Sequence, residues 1–167
     1  MRCVVLASGR GSNFAALLAA EKQQTIGAAT VCALVVNRPG CGALQHASDA
    51  GIPSATVDHK AFSSREAFET ELLKAVQDHQ PDALVLAGFM RILTPLFLKG
   101  IKVPIINLHP ALLPAFPGAR ALDDAFEAQV RISGCTVHLV REELDAGPIL
   151  AQAAVPVLDG DDHARLA

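Results

Sequence analysis

The 167-residue sequence lacks the features of several large protein classes. It has no excess of basic residues, because the net charge is −3 and lysine and arginine are scattered, which argues against a nucleic-acid or anionic-membrane surface. It has no apolar run near the roughly 20 residues of a membrane span, and its apolar N-terminal stretch is too short for a signal peptide. We therefore expect a cytoplasmic protein with no nucleic-acid and no membrane partner.

Cysteine and histidine residues are present, but they lack the spacing of metal sites. No two of the four cysteines form a Cys-x-x-Cys pair, and the six histidines show no ligand spacing such as His-x-x-x-His. We therefore expect reduced, buried thiols and no bound metal.

Apolar residues, in contrast, are abundant. Hydrophobic residues make up 51% of the sequence and charged residues 19%, so a sizeable buried core is expected and disorder is not. The length suits a single α/β domain and leaves little room for a second.

The apolar pattern alternates between strand-like and helix-like segments. Short, continuous apolar runs predict strands at residues 3–7, 30–36, 55–57, 83–87, 104–108, 135–140 and 149–157. Helical spacing predicts helices at residues 14–21, 43–50, 63–76 and 121–129, with Ser12 or Asn13 capping the first and a Ser63–Glu66 capping box opening the third. Repeated strand–helix units predict an α/β fold with a mostly parallel, twisted sheet and helices on both faces.

The first link between strand and helix, residues 8–13, reads Ser-Gly-Arg-Gly-Ser-Asn. Its glycines allow close approach of the backbone, and the following helix N-terminus offers free N–H groups to a phosphate. It is neither a Walker A loop nor a complete dinucleotide fingerprint, because Phe14 replaces the third glycine and the second strand ends in Asn37 rather than an acid. A phosphate site and a plain tight turn both remain open.

A second loop, Gly88-Phe89-Met90-Arg91-Ile92-Leu93, follows an apolar strand and carries one arginine among apolar side chains. This composition suits a flat heteroaromatic ligand whose edges bond to backbone groups. The alternative is a loop that folds back on the core.

Asn107 and His109 end a further strand and, being two residues apart, project to the same side. An amide can bond the oxygen that becomes negative during acyl transfer, while an imidazole moves a proton. Asp145, in a loop between two predicted strands, would favour the imidazolium form and hold the ring. Taken alone, a turn-forming Asn beside a structural His explains the pair better than a catalytic role does. His138 is expected to be structural and hydrogen-bonded.

These segments occur together in one order: Ser8 to Asn13, Gly88 to Leu93, Asn107 to Pro114 and Leu144 to Pro148. In that order they closely resemble the phosphoribosylglycinamide formyltransferase family, the folate-dependent enzymes of de novo purine synthesis. The resemblance covers essentially the whole chain. It implies a Rossmann-like formyltransferase fold and an enzyme that is a monomer or a homodimer.

The resemblance also implies the reaction and its residues. A formyl group passes from the co-substrate 10-formyltetrahydrofolate to the amine of phosphoribosylglycinamide, with no metal. The residues implied for the phosphoribosyl substrate are Gly11, Ser12 and Asn13. Those implied for the folate are Arg65, Met90, Arg91, Ile92, Leu93 and Asn107. Asn107 would polarise the formyl carbonyl, His109 would donate a proton, and Asp145 would favour the protonated ring and pass protons by way of water.

Two departures from the family pattern stand out. After Pro117 the family usually carries a pair of histidines in a Gly-x-His-x-His pattern, whereas this chain reads Gly118-Ala119-Arg120-Ala121-Leu122. The contacts of those histidines are therefore absent or replaced by Arg120. The sequence also ends just as residues 161–166 begin another helix, through which family members continue. We therefore expect one formyltransferase domain, residues 1–167, that lacks its C-terminal helix.

Three other functions are considered. Formyltetrahydrofolate deformylase shares the formyl-folate site but has an N-terminal regulatory domain that is missing here and needs no phosphate site. Methionyl-tRNA formyltransferase should show a second, basic domain, which neither length nor charge provides. A non-catalytic folate- or nucleotide-binding remnant would bind ligand without turnover.

Overall fold

A computed structural model of the chain describes residues 1–166. The chain forms two compact units, of which the first comprises Met1–Ile105 and the second begins at Ile106. Within residues 1–166, no helix combines the length and the apolar character needed to cross a bilayer. The prediction of a single domain stays a prediction.

The first unit is a parallel α/β arrangement. Its strands are β1 (Arg2–Ala7), β2 (Thr30–Val36), β3 (Ser54–Thr56) and β4 (Ala83–Leu86). Its helices are α1 (Ser12–Lys22), α2 (Gly42–Asp49), α3 (Arg65–Gln77) and α4 (Pro95–Gly100), and a 3-10 turn spans His59–Ala61. The strands pair in the order β3-β2-β1-β4, and every pairing is parallel. The predicted alternation of strands and helices is confirmed in this unit.

The core of the first unit explains why its strands are apolar without interruption. Parallel strands that are covered on both faces bury consecutive side chains, and Val4, Val5 and Leu6 of β1 are all fully buried. Large side chains from three helices pack in the same core: Phe14 of α1, Leu72 of α3 and Phe97 of α4.

The second unit is antiparallel. Its strands are β5 (Ile105–His109), β6 (Ile132–Leu139) and β7 (Ile149–Pro156), and its helices are α5 (Ala121–Glu127) and α6 (His163–Leu166). Strand β6 pairs antiparallel with both β5 and β7. The buried side chains of β6 are polar, namely Ser133, Thr136 and His138. These polar residues therefore need partners inside the unit.

Several local predictions were wrong at helix starts. The N-cap of α3 is Ser64, whose hydroxyl accepts from the Ala67 N–H at 3.1 Å, so Ser63 and Glu66 do not form the predicted capping box. The N-cap of α1 is Gly11 rather than Ser12 or Asn13. Helix α4 was not predicted, although a proline at its first position is a known start signal.

Candidate active site

The loop after β1 leads into α1, whose N-cap is Gly11. Gly11 caps this helix with φ +84°, and a β-carbon there would lie 2.6 Å from the Ala43 Cα. No side chain within the described residues caps α1, so the N–H groups of its first turn have no side-chain partner. Glycine is therefore required at position 11, and the backbone around Ser12 and Asn13 is suited to a phosphate.

Ser8 joins this loop to the loop after β4. Its buried hydroxyl accepts the Met90 N–H at 2.8 Å and donates to Asn37 Oδ1 at 2.6 Å, while its own N–H donates to the Gly88 carbonyl at 3.1 Å. The carboxyl ends of β1, β2 and β4 are thus tied together within the first unit. This is the edge at which parallel sheets bind ligands.

The loop after β4 exposes apolar side chains at two of its four implied folate contacts. Met90 and Ile92 are 63% and 60% exposed, whereas Leu93 is buried. The guanidinium of Arg91 lies 5.4 Å from the centre of the Phe68 ring. Because large exposed apolar side chains are unfavourable in water, the pair at 90 and 92 is suited to covering a flat ligand.

Arg65 approaches the same loop from the start of α3. Its Nη2 donates to the Ile92 carbonyl, and its Nε lies 3.5 Å from Glu69 Oε1. The structure therefore brings Arg65 to the loop that the sequence singled out, all within the first unit.

In the second unit, the pairing of β5 with β6 sets Asn107 opposite His138. The Asn107 amide nitrogen lies 3.1 Å from His138 Nε2, and His138 Nδ1 lies 3.1 Å from the Leu139 carbonyl oxygen. A carbonyl can only accept, so Nδ1–H donates to it and Nε2 accepts from the amide. Asn107 therefore keeps its second N–H for another acceptor.

His109 is 4% exposed, and both of its ring nitrogens face oxygen atoms. Nε2 lies 2.8 Å from the Phe116 carbonyl oxygen, and Nδ1 lies 3.4 Å from Asp145 Oδ2. Neither oxygen donates, so either ring nitrogen has an acceptor facing it when it carries a proton.

The Asp145 carboxylate lies near both histidine rings. Its Oδ2 accepts the Gly118 N–H at 2.7 Å, and its Oδ1 lies 3.6 Å from His138 Nε2, beyond hydrogen-bond length. Asp145 has φ +51°, which aspartate tolerates better than most residues. A β-carbon at Gly147 would overlap the Leu139 carbonyl oxygen, so the loop carrying Asp145 lies directly on β6.

The structure adds three groups that sequence reasoning did not place in this cluster: the His138 ring, the Phe116 carbonyl and the Gly118 N–H. His138 was predicted to be buried and hydrogen-bonded, which its 1% exposure agrees with, but its partners were not predicted. Only the strand register, which a single sequence does not show, would have identified Asn107 as one of them.

Arg120 stands at the first of the two histidine positions of the family pattern, and it contacts its own helix. Its guanidinium lies 2.6 Å from Glu127 and 3.7 Å from Asp124, and its side chain is 64% exposed. Within residues 1–166, no group of three or more histidine, cysteine, aspartate or glutamate side chains could hold a metal ion.

Comparison with known proteins identifies the family. The sequence profile described as formyl transferase matches residues 1–167. The chain belongs to the formyl transferase family. The fold class is confirmed as well, because the glycinamide ribonucleotide transformylase 1 structure from Symbiobacterium toebii matches with a TM-score of 0.93 and 40% identity, over 99% of this chain and 78% of that one.

Relatives within the family carry two kinds of name. The phosphoribosylglycinamide formyltransferases of Mycobacterium tuberculosis strain H37Rv and Escherichia coli K12 are 47% and 44% identical, over 99% and 98% of this chain and 75% and 76% of theirs. The trifunctional purine biosynthetic protein adenosine-3 of Drosophila melanogaster is 44% identical over 99% of this chain. This chain spans only 12% of the length of that trifunctional protein. The resemblance to phosphoribosylglycinamide formyltransferases is confirmed.

Proposed function

We propose that this chain transfers the formyl group of 10-formyltetrahydrofolate to the amine of 5'-phosphoribosylglycinamide. The products are 5'-phosphoribosyl-N-formylglycinamide and tetrahydrofolate, as in the purine synthesis implied by the relatives' names. The observation that carries the proposal is the cluster of Asn107, His109, His138 and Asp145. Its two histidines are buried, both lie near the Asp145 carboxylate, and His138 contacts the Asn107 amide.

The proposed chemistry needs no covalent enzyme intermediate. The substrate amine attacks the formyl carbon, and the carbonyl oxygen takes up negative charge in a tetrahedral intermediate. The free N–H of Asn107 stabilises that oxygen, and the proton on His109 Nε2 does so once it leaves the Phe116 carbonyl. When the bond from carbon to the folate N10 breaks, its electron pair stays on N10, which gains a proton, while the attacking nitrogen loses one.

His109 and Asp145 have complementary parts in these proton movements. His109 supplies the proton as a general acid. The Asp145 carboxylate keeps the imidazolium charged until then and, by way of water, receives the proton that the attacking amine gives up. Asp145 then passes this proton on to His109, whose Nδ1 lies 3.4 Å from Oδ2, and the enzyme returns to its starting state. In total, one proton has moved from the amine to N10.

The binding groups follow the same proposal. The start of α1, with Gly11, Ser12 and Asn13, holds the phosphoribosyl end by its N–H groups. The pterin-bearing folate lies on Met90 to Leu93 with Arg65, and Asn107 contacts its formyl end. The expected cytoplasmic location, and a monomeric or homodimeric state, stay predictions.

One assay tests the proposal directly. This protein is incubated with 10-formyltetrahydrofolate, with and without phosphoribosylglycinamide, and tetrahydrofolate formation is followed. Release that requires the ribonucleotide supports the transferase. Equal release without it indicates a deformylase, and folate binding without any release indicates a non-catalytic binding module; either outcome contradicts the proposal.

A further inference from the structure

Glu69 is a buried carboxylate that the proposed chemistry does not use. It lies on α3 at 1% exposure, among the buried side chains of Phe68, Leu72 and Val76. A carboxylate out of contact with water is costly unless hydrogen bonds and an opposite charge surround it. The partners of Glu69 therefore show what this residue is for.

Within residues 1–166, the hydrogen-bond and ion-pair partners of the Glu69 side chain belong to the loop after β4 or contact it. The Thr94 N–H donates to Oε1 at 3.0 Å, and the Thr94 hydroxyl donates to Oε2. The remaining partner is Arg65, whose Nε lies 3.5 Å from Oε1. Thr94 is the N-cap of α4, so Glu69 fixes the point at which the loop ends and the helix begins.

The same carboxylate also orients Arg65. With Nε facing Glu69 and Nη2 donating to the Ile92 carbonyl, the guanidinium is held at two points. Arginine carries five N–H donors in a fixed plane, so the remaining donors point in directions that Glu69 determines.

The other end of the loop is fixed independently. The Ser8 hydroxyl accepts the Met90 N–H at 2.8 Å. The segment from Met90 to Leu93 is therefore attached at its first residue by Ser8 and just beyond its last by Glu69, through Thr94. The segment held in this way carries the exposed side chains of Met90 and Ile92.

From this arrangement we propose that Glu69 is a positioning residue for the folate site: it holds Arg65 and the loop 90–93 in the conformation that binds the folate. The inference rests on the proposed function, because it takes this loop as the folate site. It predicts that the negative charge of Glu69, and not only its shape, sets the affinity for the folate.

The decisive variant is Glu69→Gln, which keeps the size of the side chain and one acceptor oxygen but removes the charge. Hydrogen bonds to charged groups are stronger than neutral ones by an amount that corresponds to roughly tenfold in affinity. We expect the Kd for 10-formyltetrahydrofolate, titrated calorimetrically without ribonucleotide, to rise about tenfold. The KM for the folate should rise with it, while the KM for phosphoribosylglycinamide stays within twofold.

Glu71→Gln is the matched control. It makes the same chemical change two residues along α3, where the side chain is 50% exposed and lies 3.9 Å from Lys74. This control should leave both KM values and the folate Kd unchanged. A general loss of helix stability would affect both variants and both substrates, whereas the proposal predicts a change for one variant and one substrate.

If Glu69→Gln does not fold, as judged by its melting temperature, Thr94→Val provides the test. It removes only the hydroxyl that donates to Oε2 and should raise the folate Kd several-fold, whereas Thr94→Ser should restore it. An unchanged folate Kd in a folded Glu69→Gln or Thr94→Val protein overturns the inference. A wild-type protein that binds the folate but forms no product contradicts the proposed function alone, and one that does not bind the folate contradicts both.

Discussion

Asp145→Asn is the substitution that tests the proposed proton chemistry most directly. Asparagine has the same size, tolerates the positive φ of +51° at this position and keeps an oxygen to accept the Gly118 N–H. What it removes is the negative charge that lies 3.4 Å from His109 and 3.6 Å from His138. The fold should therefore survive a change that abolishes the charge.

The size of the effect follows from the distance to His109. At 3.4 Å and an effective dielectric constant of about 20, two unit charges interact by about 5 kcal/mol. Part of this is offset by the cost of keeping both groups away from water, which leaves about 3–4 kcal/mol for the charged ring. Because each 1.36 kcal/mol is tenfold in rate, kcat should fall by about 10²–10³-fold.

The assay is tetrahydrofolate formation at saturating concentrations of both substrates, with the melting temperature measured in parallel. Asp159→Asn is the control, since Asp159 also pairs with a cation, Arg131 at 2.5 Å, but is 90% exposed. It should keep the wild-type kcat, because exposed pairs contribute little. A folded Asp145→Asn protein with kcat within threefold of wild type would refute the role given to this carboxylate.

Three further substitutions have expected outcomes. Gly11→Ala should raise the KM for phosphoribosylglycinamide about tenfold or more in steady-state assays. The reason is that the new methyl group would lie 2.6 Å from the Ala43 Cα, at a φ of +84°. An unchanged KM would argue against a phosphate site at this helix start. Gly147→Ala should lower kcat and the melting temperature together, because the methyl group would overlap the Leu139 carbonyl and displace the loop that carries Asp145. Full activity would contradict the close packing of this loop on β6. His109→Ala should lose about 10²–10⁴ in kcat with its circular dichroism spectrum intact, and near-normal turnover would exclude it as the general acid.

Much of the fold could be predicted because its strands are encoded locally. Strand β2 was predicted at residues 30–36 and occupies the same residues, since a buried parallel strand is an uninterrupted apolar run. Helix caps were predicted less well, because Ser63 and Ser64 are equally good N-cap residues and only the hydrogen bond to the Ala67 N–H distinguishes them. Strand β6 begins at Ile132 rather than Cys135, since the small and polar residues between them conceal the alternation.

The sequence predicts those residues of the candidate site whose side chains have an obvious catalytic chemistry. Asn107, His109 and Asp145 were singled out by their chemistry and by the resemblance to the family. His138 could not be placed beside Asn107, because that contact depends on how two distant strands align. Nothing in the sequence distinguishes Glu69 from the other glutamates of this helix, whereas its burial and its bond to the Thr94 N–H do.

The stretch from Phe116 to Gly118 bonds to His109 and Asp145 through backbone atoms, a carbonyl oxygen and an N–H. Alanine scanning would therefore overlook it, because replacing the Phe116 side chain leaves its carbonyl oxygen in place. Deleting one residue from this stretch, in contrast, would separate both partners at once. A designer who transplants the histidine and the aspartate to another scaffold must copy the course of this stretch. The positive φ of +96° at Gly118 must be copied with it, which favours glycine at that position.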